Sequence, residues 1–283
     1  LLDGACHLER LVRKAAQDFR MPALALTDHG NLFGAIDFYT QAQKEGLKPI
    51  IGCELYVSPG TRFEKTNVDG SYEGANHLTV LVKDQTGYKN LIKLVTAGFL
   101  EGFYYKPRVD KELLQQHAKG LLVLSGCLNS GVCRLLMEGQ EAKAKEAAAW
   151  YRDVFGPENY YMEMQWHGIP EQKTVNEGVI RIARSLGVPL VATNDVHYLN
   201  QADFRAHEIL LCIQTGKTVH DKDRMRFSVN EFYLKSPEQM AELFRDSPEA
   251  LKNTIAVAER CNLELEFGKI HLPHYQVPAG QTL

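Results

Sequence analysis

Five of the short apolar runs in this chain carry, near one end, a residue able to hold a divalent ion or move a proton. The sharpest case is TNDVHY, residues 193–198, where Asp195 and His197 stand two positions apart. Side chains at i and i+2 of an extended segment point the same way, so the two could bind one ion together. LALTDHGN, 24–31, ends an apolar run on Asp28 beside His29, and IIGCE, 50–54, ends on Cys53 and Glu54. His77 opens HLTVLVKD, and Cys127 follows GLLVLSG. Neighbouring residues of a strand face opposite ways, so one member of each adjacent pair faces a common site. We assign His29 and Glu54 as ligands, Asp28 as an orienting partner behind them, and Cys53 to packing.

Such a set of imidazoles, carboxylates and one thiol suits borderline or hard divalent ions such as zinc, manganese or iron. More than four ligands exceed a single tetrahedral site, which favours two or three ions sharing carboxylates. Clusters of that kind serve phosphoester hydrolysis by generating hydroxide and clamping the attacking and leaving oxygens. Each residue alone has a plainer reading: DHGN as an Asx turn opening a helix, Cys127 as a small buried apolar side chain. Recurrence at five separate strand ends is what argues for a site.

Other reactive residues carry less. FYYKPR, 103–108, mixes rings and cations as a strand-binding surface would, with Lys106 and Arg108 for phosphate and Tyr104 and Tyr105 for stacking. A loop that packs its rings and solvates its charges reads equally well. His167 in WHGIPEQ either lines the rim or belongs to a helix-opening loop beside Pro170. His7, His117, His207, His220, His271 and His274 have no partner at an informative spacing.

The elements that must position these groups are legible as alternating patterns. PALALTD near 22, KPIIGCELYV near 48, HLTVLVKD near 77, GLLVLSG near 120, NYYMEMQ near 159 and VPLVATND near 188 read as buried strands. Amphipathic stretches of helical length begin near 8, 34, 86, 141 and 171, several of them ending at Gly. Strand and helix in alternation predict βα units closing into an irregular barrel, whose strand ends and following loops share one rim. His77 fits that rim only if its strand runs the other way or its loop reaches over. The polar, Gly-rich stretch 59–76 predicts a surface excursion. Beyond about residue 200 the pattern is helical, with Ser236 and Ser247 placed as N-caps before Pro, and 276–283 reads as a linker.

Composition excludes little and bounds much. With 283 residues, 45% of them hydrophobic, the chain can bury a full core. Its 32 Lys and Arg against 35 Asp and Glu provide no global attraction for a polyanion, so nucleic-acid contact must be local. The apolar runs are too short to span a membrane and no leader is evident, so a cytoplasmic protein is expected. The six Cys lie far apart without a C-x-x-C pair and should be reduced thiols.

TDHGN, IIGCE, SGC and TNDVHY, in this order and at these separations, resemble the polymerase and histidinol phosphatase (PHP) family. LLDGA, PALALTDHGNLFGAIDFY, FYYKPRVD and FRAHEILLCIQTG are similar, more narrowly, to the PHP domains of bacterial replicative DNA polymerase III alpha subunits. The resemblance implies a TIM-like barrel of about seven irregular βα units with a helical C-terminal extension. It places the barrel at 1–200, its helical remainder at 201–275 and a linker toward polymerase domains at 276–283. It further implies up to three divalent ions, with Zn or Mn expected, held by Asp3, His29, Glu54, His77, Cys127, Asp195 and His197. Asp195, His197 and Glu54 would act on the reaction through metal, and Lys106, Arg108 and Tyr105 would meet substrate. The family's first motif, a His-x-His pair shortly before LLDGA, has no counterpart in a chain that begins at Leu1, so a truncated first strand is expected.

Two functions follow as expectations. One is a metal-dependent 3′–5′ exonuclease that proofreads a DNA primer end beside the rest of a polymerase III alpha subunit. The other is a metal-stabilised scaffold that docks a separate proofreading exonuclease subunit. A free-standing phosphomonoesterase is disfavoured by FYYKPRVD and FRAHEILLCIQTG.

Overall fold

Ala23–Leu26 forms strand β1 and pairs in parallel with the first half of β2, Lys48–Val57. These elements belong to a computed structural model that describes residues 3–65, 75–270, 272, 275–277, 280 and 281. Along its other edge β2 pairs antiparallel with β3, Asn76–Val82, followed by β6, Leu121–Leu124, β7, Tyr160–Gln165, and β8, Leu190–Thr193. A hairpin of β4, Phe103–Tyr104, and β5, Lys106–Val109, joins the second half of β2. The result is one curved sheet of eight strands, wrapped as an open barrel with helices around it.

All six apolar runs form strands, and β2 is buried on both faces, which is why it reads as a continuous apolar stretch. Residues 51, 53, 55 and 57 of β2 face the outer layer of helices. Ile50 and Glu54 lie on the inner face with Leu81, Thr79 and His77 of β3 opposite. The expectation of uniform parallel βα units fails at β3, which runs against both neighbours. Reversal puts His77, the second residue of β3, at the rim where Glu54 emerges, and so accounts for its place at the start of its run.

The outer layer comprises α1, Leu8–Arg13, continued by a wider turn over Lys14–Asp18, then α2, Ala35–Lys44, and α3, Gln85–Leu100. Short α4, Lys111–Gln116, and α5, Gly131–Met137, were not expected; each has a side-chain N-cap, Asp110 and Ser130. α6, Glu141–Phe155, and α7, Pro170–Leu186, complete the ring. After β8 come α8, Phe204–Thr215, α9, Pro237–Leu243, and α10, Pro248–Arg260. Ser236 caps α9 in a reciprocal capping box with Gln239, whereas Ser247 makes no side-chain cap bond to α10.

α10 plugs the barrel end opposite the rim. Val257, Ala258 and the following Cys261 pack on inward residues Ile50, Leu81, Leu122, Leu124, Tyr161 and Val191. Arg260 fastens this plug by donating to the Asn159 side chain at 2.7 Å, and Lys48 donates to the Ala258 carbonyl at 2.6 Å. Of the expected surface excursion, residues 66–74 lie outside the described residues; so do His271, His274 and 278, 279, 282 and 283 of the expected linker. Among the described residues no helix is long and apolar enough to cross a membrane.

Candidate metal centre

The rim opposite α10 gathers its reactive side chains from segments far apart in sequence. The turn after β1 lies against β2: Gly30 N donates to the Glu54 carbonyl at 2.9 Å and Glu54 N to the Asp28 carbonyl at 3.0 Å. Backbone pairing thereby sets His29 beside Glu54, with His29 Nδ1 3.2 Å from Glu54 Oε1. His77 Nδ1 reaches the same Glu54 oxygen from β3. On the other side of His29, Nε2 stands 3.4 Å from Asp3 Oδ1, and His197 Nε2 approaches Asp3 Oδ2 at 3.8 Å. Two triads able to share an ion result, Asp3 with His29 and His197, and His29 with Glu54 and His77.

Cys127 and Asp195 sit just outside these triads. Cys127 Sγ is 3.5 Å from His77 Nδ1, and Asp195 Oδ1 is 3.7 Å from His197 Nδ1. The two residues of TNDVHY meet for a reason other than strand alternation. β8 stops at Thr193, and Asp195 adopts a left-handed conformation with φ of 47°, so a turn brings it back to His197. All the residues expected as ligands line one cavity of about 380 Å³.

The electrostatics of this cluster demand positive charge. Burial alone would raise Asp3, but the hydrogen bond and charge of His29 hold its carboxyl down at about 2. Burial would lower His29, yet Asp3 and Glu54 on either side push it up to about 11. Glu54 is held well below the usual carboxylate range against its own burial by His29 and His77. Burial pushes the Cys127 thiol up. His29 Nδ1 and Glu54 Oε1 are buried and face each other without the alignment of a hydrogen bond. Buried nitrogen and oxygen ligand atoms that have no hydrogen-bond partner among the described residues, converging with carboxylates that already stabilise a protonated imidazole, fit a divalent cation.

Other expected contacts are placed differently. Asp28 turns its carboxylate to the Gly34 backbone at the start of α2, and its own carbonyl accepts from Glu54 N, so the backbone of the turn sets His29 against β2. Arg108 is buried and spends Nε on the Gly102 carbonyl at 3.1 Å and Nη2 on the Glu64 carbonyl at 2.7 Å. It braces the hairpin where a free phosphate ligand was expected. Lys106 lines the cavity, with Nζ 5.4 Å from the centre of the Tyr56 ring. Tyr104 lines it as well, while Tyr105 is exposed and lies outside its wall. His167 is buried between Gln172 and the Asn194 carbonyl, a structural role.

Sequence reasoning passed over three contributors. His207 on α8 is fully buried, faces the Asp3 carbonyl through Nε2 at 2.7 Å and stands edge-on to His197. No spacing pattern signals it, because its hydrogen-bond partner Asp3 lies 204 residues away. Tyr56 stacks near His29 and meets His77 edge-on with ring centroids 5.2 Å apart. Glu163 lies on the inner face below the rim, accepting from Gly126 N at 2.9 Å and from the Thr193 hydroxyl. The polar alternation of Glu163 and Gln165 within NYYMEMQ was the available signal.

Known proteins show similarity along the whole chain. A PHP domain profile matches residues 1–167. DNA polymerase III subunit alpha of Treponema pallidum is 50% identical over 280 residues, covering 98% of this chain and 24% of the relative. The same subunit of Borreliella burgdorferi is 46% identical, covering 98% and 24%, and that of Deinococcus radiodurans 45% identical, covering 100% and 22%. The chain therefore spans about a quarter of the length of these curated relatives.

Proposed function

The chain belongs to the PHP domain family, and from that premise we propose that it is a metal-dependent phosphodiesterase that removes nucleotides from a DNA 3′ end within a polymerase III alpha subunit. The observation that carries this reading is the convergence of the two triads on one cavity, with buried atoms of His29 and Glu54 that have no hydrogen-bond partner among the described residues. Asp3, His29, Glu54, His77 and His197, with Cys127 and Asp195 beside them, would hold two or three divalent ions such as Zn or Mn. Bound there, the ions would supply Lewis acidity toward a phosphate and a hydroxide nucleophile near neutral pH.

The chain's own residues do the rest. Glu54, pinned by backbone pairing, fixes two imidazoles at once. His207 holds the backbone of Asp3, so the carboxylate is presented toward His29 and His197. Lys106 and Tyr104 on the hairpin wall offer a cation and a ring to an incoming strand end. The remainder of an alpha subunit and a DNA primer are the partners this reading requires.

The test is metal analysis of the purified protein together with release of nucleotides from a mismatched primer 3′ end. Activity that needs the metal and disappears in Asp195→Ala and His197→Ala supports the proposal. Bound metal that raises the melting temperature without any nucleotide release would replace it with the scaffold, on which a separate proofreading subunit docks.

A further inference from the structure

The segment 217–232 between α8 and α9 crosses the rim and is fastened on both sides of a single residue. Arg224 donates to Glu208 of α8 at 2.7 Å, an ion pair whose side chains are 8% and 12% exposed. Phe227 sets its ring against His197 and His207, with centroids 4.9 Å from each, and against Phe232 at 4.6 Å. Between these two anchors Arg226 lines the cavity, yet among the described residues it makes no hydrogen bond or ion pair. An unpaired guanidinium is ordinary where a surface loop swings free. Here its neighbours are fixed, one of them on an imidazole of the metal centre.

Charge explains why such a residue belongs there. Asp3, Glu54, Glu64 and Asp195 bring negative charge to the cavity wall, and of the cations that share it Arg108 is committed to backbone carbonyls and Arg134 is already engaged. Lys106 and Arg226 come from widely separated segments of the sequence to the same cavity with no acidic partner among the described residues. A guanidinium presents paired donors that match phosphate oxygens, and an ammonium adds a point charge. We propose that Arg226 is a substrate-positioning residue that binds a phosphodiester of a single DNA strand entering the metal centre, with Lys106 as its second cation. The inference rests on the nuclease reading for its substrate class, and on Arg224, Phe227 and the cavity for its geometry.

Binding separates the two. A 5′-labelled single-stranded oligodeoxythymidylate is titrated with the protein in EDTA, where no strand is cut, and its anisotropy followed at several salt concentrations. Arg226→Ala is expected to weaken binding about tenfold and to lower the slope of log K against log salt by about 0.7, the loss of one phosphate contact. Arg226→Lys should keep the slope and recover part of the affinity. Arg245→Ala, which breaks only an exposed pair with Glu242, serves as the control and should change neither. An unchanged affinity and slope in Arg226→Ala overturns the assignment, even if metal-dependent nucleotide release is intact. Strand binding that depends on Arg226 upholds it, even if the loaded protein releases nothing and the nuclease reading falls. Inorganic phosphate that displaces the strand as well as unlabelled oligonucleotide does would overturn the phosphodiester class.

Discussion

Glu163 shows how much a single buried carboxylate can report. Its side chain accepts from Gly126 N and the Thr193 hydroxyl, and Gln165 Nε2 lies 3.3 Å away. Burial, aided by the charges of Asp195 and Glu54 and opposed by the Thr193 hydrogen bond, still raises it to about 7. A raised acid is protonated more readily when folded, so its stabilising share is full below the ordinary value of 4.5 and is lost as pH rises through about 7. The lost share amounts to about 3 kcal/mol at most. Glu163→Gln removes that cost and forfeits one acceptor worth about 1 kcal/mol. In chelated protein the variant should gain about 1–2 kcal/mol at pH 8 and gain nothing at pH 5, read from urea midpoints. An equal change at both pH values would sink the argument. Parity along the strands implied only that one of Asp28 and His29, and one of Cys53 and Glu54, faces a common site; His29 and Glu54 are the ones that line the cavity. Glu163 was passed over because it lies in the middle of its strand, away from the ends where ligands were sought.

Elements meet through contacts that composition does not announce. Asp84 caps α3 by accepting from Gly87 N at 2.9 Å, and the same turn of helix presses on the turn before β6. A Cβ at Gly87 would stand 1.8 Å from the Gly120 carbonyl oxygen, a backbone atom with φ of 78° at its own residue. Gly→Ala inside a helix ordinarily stabilises by about 1 kcal/mol. Gly87→Ala should instead destabilise by about 1–3 kcal/mol, since α3 and the β6 turn must separate. A urea midpoint that rises would show that the two elements yield without cost. Five of the six apolar runs were legible because burial on both faces leaves an unbroken hydrophobic signature, whereas β1 is only partly buried and shows as a run of Ala and Leu. Strand direction leaves no such signature, so the reversal of β3 was visible only as the odd position of His77. The β4–β5 hairpin read as a loop because two- and four-residue strands are too short for periodicity. The turn at Asp195 was hidden for a related reason: alternation and a tight turn can both bring residues i and i+2 together.

At the scale of the whole molecule the barrel is held differently at its two ends. One end is closed by α10 through an apolar cluster that needs nothing but burial. The other brings Asp3, His29, Glu54, His77 and His197 together from separate segments, leaving His29 Nδ1 and Glu54 Oε1 buried and, among the described residues, without a hydrogen-bond partner. An ion there would cross-link the N-terminal segment, the turn after β1, β2, β3 and the segment after β8. At a free concentration about 100 times its dissociation constant it would stabilise the fold by about 2.7 kcal/mol. Chelation should then lower the melting temperature by roughly 5–10 °C for a chain of this size. Val257→Ala, at the plugged end, removes apolar contacts that share no residue with the metal-capable triads. Its destabilisation should therefore be the same in loaded and in chelated protein, because independent sites add. Melting both proteins with Zn, with Mn and with EDTA checks the pair of expectations together. A wild-type melting temperature indifferent to EDTA would mean that protonated His29 between its carboxylates already holds the rim as firmly as an ion does.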